Sequence, residues 1–102
     1  MKRIIFNLKY PWYAEIANGM KAVEYREVKP YWTKRMKNLL GDVPTKERTI
    51  WPSNLLAVFR CGYGRMHRDI VRRVMWIDVG ACPYNGWDGE YYRINFERED
   101  NQ

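Results

Sequence analysis

The succession of apolar and polar residues predicts a small α+β domain, a strongly bent mixed sheet or partly open barrel with short helices against it. Three observations carry this expectation. Periodicities read strand, helix, strand, helix and then three strands, with no internal repeat. The 102 residues leave room for one core, so 1–102 is a single domain. Hydrophobic residues make up 46% and aromatics 16%, which favours a packed globule over disorder.

Residues 3–9 alternate, Ile4, Phe6 and Leu8 on one face and Arg3, Asn7 and Lys9 on the other, as in a strand. Pro11 suits the first turn of a helix, and Trp12, Ile16 and Met20 then form an apolar stripe. Asn18-Gly19 can close that helix in a left-handed cap. Residues 21–28 form a second strand. Pro30 opens a second helix with Trp32, Met36, Leu39 and Leu40 inward and Lys34, Arg35 and Lys37 outward. Residues 41–54 lack periodicity and are broken by Gly41, Pro44 and Pro52, so they form a loop long enough to act as a functional cover. Strands follow at 55–61, buried on both faces, at 70–79 and at 91–96, the last two separated by the turn-rich 83–89. The terminal 97–102 segment is expected to fray.

Eighteen basic against twelve acidic residues give a net charge of +6, which favours an anionic partner, nucleic acid ahead of a membrane surface. Residues 26–48 carry seven basic and three acidic side chains, residues 60–73 five and one, and residues 88–102 two and five. Cys61 and Cys82 make neither a CxxC pair nor a disulfide framework and read as free thiols in a reducing compartment. The N-terminus lacks a signal-peptide pattern and no apolar run reaches spanning length, so a cytoplasmic location with no membrane partner is expected.

Several chemistries find no support. His67 and Ser53 are the sole histidine and serine, and Ser53 follows Pro52 without a nucleophile-elbow pattern. A zinc site would have to join His67, Cys61, Cys82 and carboxylates at unpatterned spacings, so no metal is expected; His67, between Arg65 and Arg68, reads as a solvated loop residue. Neither a phosphate-binding loop nor a dinucleotide fingerprint is present, and no cofactor is expected.

What remains is Gly19-Met20-Lys21-Ala22-Val23-Glu24-Tyr25-Arg26. Strand alternation places Val23 and Tyr25 on one face, where they should pack, and Glu24 and Arg26 on the other, facing a ligand. Their α-carbons lie about 6.6 Å apart, so both groups can grip one molecule. A Glu accepting from an amino group and an Arg donating to a carbonyl or phosphate suit the polar edge of a nucleotide. Lys21 stands at the rim. A surface ion pair without function is the plain alternative.

At these residues the chain resembles the ASCH domain of the PUA-like superfamily, in its small bacterial and phage form. The likeness rests on Asn7-Leu8-Lys9-Tyr10-Pro11-Trp12 and on Ile16 to Arg26, with its Gly-x-Lys helix end and Glu-x-Arg strand; Val58 to Gly64 and Tyr91 to Ile94 resemble later strands. It spans most of the chain except 41–54. The resemblance implies a mixed-sheet β-barrel with two to three short helices, a cleft beside the Gly-x-Lys helix end, and RNA or a modified nucleoside as ligand. Some members are hydrolases of N4-acetylcytidine and others ribonucleases. The amidohydrolase type pairs this lysine with a threonine three residues on and a distant glutamate. Here Glu24 stands at the threonine position, and Glu90 is the nearest candidate for the glutamate.

Three functions follow as expectations. In the first, a binding module, Lys21, Glu24 and Arg26 hold an RNA or nucleotide ligand, Trp12 or Tyr63 stacks on the base, and Arg60, with Lys34, Arg35, Lys37 and Arg65, meets phosphates. In the second, a hydrolase of a modified nucleoside or of RNA, Lys21 and Glu24 are the catalytic candidates; burial and Arg26 favour a neutral amine while Glu24 favours the ammonium. The third is a protein-docking module using the aromatics and the 41–54 loop. The first is preferred, because no general acid–base set is recognisable.

Overall fold

The computed structural model describes residues 1–62 and 64–98. Five strands and two helices follow in the predicted order: β1 (Lys2–Asn7), α1 (Tyr10–Ala17), β2 (Val23–Glu27), α2 (Pro30–Leu40), β3 (Leu55–Cys61), β4 (Arg68–Gly80) and β5 (Tyr91–Phe96), with a 3-10 turn at Gly64–Met66.

Proline stands in the first turn of both helices, where its missing amide costs nothing, and a left-handed glycine caps α2 and follows the Asn18 cap of α1. Gly41, at φ 76°, donates its amide to the Lys37 carbonyl and closes α2. Gly19, at φ 81°, follows α1 and donates to Ile16. Because α1 stops at Ala17, Met20 lies past its end and is 73% exposed, contrary to the stripe expected of it. Lys21 is fixed directly after this reversal by its amide, which donates to the Glu15 carbonyl.

The strands form one mixed sheet in the order β1-β3-β4-β5-β2, parallel between β1 and β3 and antiparallel elsewhere. β4 holds it together. Its residues 68–73 pair with β3 and 74–80 with β5, with a bulge between Val74 and Trp76, where strands bend and twist most. The sheet is not closed: β1 and β2 are its edges, so the barrel gives way to a curled open sheet. Side chains rather than backbone bonds meet across the opening, the Arg26 guanidinium of β2 lying 5.0 Å from the Phe6 ring of β1.

The core fills the inner face. Ile4, Phe6, Phe59, Ile77, Ile94 and Phe96 are buried there beneath Ile16 of α1 and Met36 of α2. Phe59 is the hinge of the aromatic packing, with ring centroids 5.6 Å from Phe6 and 4.6 Å from Phe96. The 41–54 segment is irregular, as expected, yet ordered by Ile50, which exchanges two backbone bonds with Ile77. It does not cover the site described below. Its residues 50–54 line a separate groove with Lys2, Leu39, Leu40 and Leu55. No helix of the described residues is long and apolar enough to cross a membrane.

Candidate functional site

The register of β2 keeps the expected alternation and turns its charged pair toward the core side of the sheet. Glu24 lies opposite Ile94 and Arg26 opposite Tyr92, both buried, so Glu24 and Arg26 occupy the core face of the sheet. Val23 and Tyr25 pair with Asn95 and Arg93 on the other face, where Tyr25 is half-buried and packs on Tyr84, as expected of it. A carboxylate thus enters the interior at the open end of the curl, and its side chain is 4% exposed. An unpaired buried carboxylate is costly. Here two cations meet it: Lys21 Nζ lies 2.7 Å from Oε1, while Arg26 donates from Nε at 3.0 Å, and from Nη2, to Oε2.

Aromatic rings support both cations. Lys21 Nζ lies 4.6 Å from the Trp12 ring centroid and 5.8 Å from that of Tyr84. The Arg26 guanidinium is packed 5.0 Å from Phe6 and 5.2 Å from Trp32. Such contacts strengthen when the cation is desolvated, and Lys21 is only 9% exposed.

A cleft of about 260 Å³ opens over this cluster. Lys21, Glu24 and Arg26 line it with Trp12, Tyr25, Tyr84, Trp87 and the Asn7-Leu8-Lys9 segment that follows β1. The volume is just under that of drug-sized cavities, about 300–1,000 Å³. Among the described residues three cations against one carboxylate make its lining net positive. Lysine has three donors and arginine five. Glu24 takes one from Lys21 and two from Arg26, so both keep donors for a ligand. The walls are ring-lined: Trp12 to Tyr84 measures 5.1 Å, Tyr84 to Trp87 5.4 Å and Tyr25 to Tyr84 5.3 Å between centroids. Burial pushes the Tyr84 phenol up to about 12, with Tyr25, Glu15, Cys82 and Glu24 adding to the shift. Burial likewise raises Tyr25.

Of the residues singled out from sequence, Trp12, Lys21, Glu24 and Arg26 converge on this cleft. Arg60 does not. It forks onto Asp69, Nε to Oδ1 at 2.9 Å and Nη2 to Oδ2 at 3.0 Å, and lines a neighbouring groove that shares Asn7, Leu8 and Lys9 with the cleft. Tyr63 lies outside the described residues. Glu90 is outside the cleft, in an exposed pair with Lys46 at 3.3 Å. His67, read as solvated, is half-buried, its Nδ1 3.1 Å from Asp69 Oδ1 but without hydrogen-bond geometry. Among the described residues no group of three or more His, Cys, Asp or Glu side chains could hold a metal.

Tyr84 and Trp87 were hidden in the segment read only as a turn. The signal was there: two large rings within Pro83–Gly89, a loop otherwise of Pro, Asn, Gly and Asp, need a surface to pack on. Asn7 and Lys9 read as the solvent side of a strand, and only the end of β1 at Asn7 brings them to the rim.

Comparison with protein-family models, curated proteins and solved structures found no match to this chain.

Proposed function

We propose that the chain is an RNA- or nucleotide-binding domain whose ligand unit enters the cleft over Lys21, Glu24 and Arg26. One observation carries this function: a buried carboxylate divided between two cations, beneath a wall of aromatic rings. Glu24 has both oxygens occupied, so its part is to position Lys21 and Arg26 as donors. Those donors match carbonyl or phosphate oxygens, Trp12, Tyr84 and Trp87 offer faces for a base, and the Asn7 amide can both donate and accept at its edge. A cleft lined by the Gly-x-Lys lysine supports membership of the ASCH family, with the curled sheet as a PUA-like barrel left open between β1 and β2.

Hydrolysis draws less support. Among the described residues the cleft lining holds no Ser, Thr, Cys or His, and its single carboxylate is already bound twice. Binding is tested by titrating tryptophan fluorescence with cytidine and uridine 5′-monophosphates and with short RNA. Saturable quenching is expected, weakened by roughly tenfold or more in Lys21→Gln through loss of charge-assisted bonds. Absence of saturation at millimolar nucleotide, with RNA equally inert, would remove the proposal.

A further inference from the structure

The outer surface of α2 carries a feature that a single nucleotide in the cleft does not use. We propose that this surface is a track for single-stranded polynucleotide, so that the cleft's ligand is one unit of a longer chain; this rests on the cleft binding a nucleotide.

The track begins at Arg26. Its guanidinium packs 5.2 Å from Trp32, and Arg35 packs against the same indole at 5.7 Å. Both guanidinium groups therefore contact one indole, which lies between the cleft and the surface of α2. Arg35 also lies 4.9 Å from the ring of Tyr31, which is 60% exposed. Lys34 and Arg35 stand three and four residues after Tyr31, which on a helix places both beside that ring. The helix contains no acidic residue, and among the described residues neither Lys34 nor Arg35 lies within 4 Å of a carboxylate, whereas Lys29 just before α2 is paired with Glu27 at 2.9 Å.

An exposed ring with two uncompensated cations beside it combines the two elements that hold single strands, a stacking platform and phosphate-binding charge. A mononucleotide brings one phosphate and fills a cleft of about 260 Å³. A chain brings further phosphates and a neighbouring base to Arg35, Lys34 and Tyr31. Stacking tolerates any base, so the track adds affinity without sequence preference.

The experiment compares a labelled ten-nucleotide single-stranded RNA with cytidine 5′-monophosphate across a salt series. In Lys34→Gln/Arg35→Gln the logarithmic salt slope for RNA should fall by about 1.4, two contacts at about 0.7 each. Tyr31→Ala should lose about tenfold in RNA affinity with its charge unchanged. Both variants should lose more affinity for RNA than for the mononucleotide, and the charge-matched Arg3→Gln/Arg73→Gln pair on the opposite sheet face should lose less RNA affinity than Lys34→Gln/Arg35→Gln. RNA binding no tighter than mononucleotide binding, or equal losses in the two double variants, overturns the track and leaves the cleft intact. RNA binding that depends on α2 but survives Arg26→Gln unchanged instead overturns the cleft.

Discussion

Two arginine–carboxylate systems sit on opposite faces of the β2-β5-β4 end of the sheet, and they are built differently. On the outer face Arg93 forks onto Asp78 across the β4–β5 ladder, Nε to Oδ1 at 2.8 Å and Nη2 to Oδ2 at 3.0 Å. Each carboxylate oxygen receives one donor from one arginine, and the pair closes on itself. On the inner face Glu24 divides its oxygens, Oε1 to Lys21 and Oε2 to Arg26. One negative charge then holds two positive ones, both retaining donors. The closed fork cross-links strands. The divided carboxylate holds two cations beneath a cleft, and burial makes the difference: the Glu24 side chain is 4% exposed, those of Asp78 and Arg93 22% and 35%.

The largest expected effect breaks the inner system. Glu24→Gln strands two cations at the edge of the core, and removing one partner of a buried ionic cluster costs about 3–5 kcal/mol. For a domain of this size that lowers Tm by about 10 °C or more. Asp78→Asn opens a partly exposed pair and should cost about 1 kcal/mol or less. Urea unfolding of both variants measures the contrast, and equal losses would show that burial does not separate the two systems.

The second effect is on ligand rather than stability. Arg26→Gln should weaken nucleotide binding by about tenfold to a hundredfold, as expected for lost charge-assisted bonds of roughly 1.5–3 kcal/mol. Arg93→Gln removes the same charge from the other face and should change affinity less than about twofold. Calorimetric titration of both with one mononucleotide sharpens the assignment, because a field effect of net charge alone would move them together.

These residues also show what the sequence carried. The order of elements was legible because Pro11, Pro30, Gly19 and Gly41 punctuate it and period-two or helical stripes fill the intervals. That Glu24 and Arg26 belong together was legible from strand spacing, and that Lys21 stands beside them from its place just after the glycine cap. Which face they occupy was not. Alternation fixes that Glu24 and Val23 differ in face, but the face that is core is decided by β5, whose Tyr92 and Ile94 stand opposite Arg26 and Glu24. The convergence of Tyr84 and Trp87 on Trp12 was equally closed to a local reading, since it depends on contacts more than sixty residues apart in the chain.

A smaller effect tests the closed fork. At Gly80 an added Cβ would stand 2.5 Å from Arg93 Cζ, so the guanidinium lies flat over a residue that has no side chain. Gly80→Ala must push it off Asp78. The clashing atoms are the far end of a flexible side chain, so the cost should stay within about 1 kcal/mol, comparable to Asp78→Asn. In the double variant the two losses should not add, because both break one contact. Additive losses in a urea-unfolding cycle would mean that Gly80 matters for its backbone instead.

The smallest effect comes from Tyr25, which lines the cleft while pairing in register with Arg93, and so reports on both systems. Its phenol is raised first by burial and then by Cys82; Arg93 pulls it down while Asp78 and Glu24 push it up. Tyr84 is raised to about 12 by burial and by Tyr25, Glu15, Cys82 and Glu24. A phenol whose folded pKa exceeds its unfolded value, about 10, binds its proton more tightly when folded. The stability it contributes is therefore complete below pH of about 10 and lost as pH rises through the folded value, about 12 for Tyr84. Phenolate absorbance on alkaline titration should show tyrosines ionising late, the last step disappearing in Tyr84→Phe. Arg93→Gln should delay Tyr25 further and leave Tyr84 where it is. If both move together, the two faces are electrostatically one system.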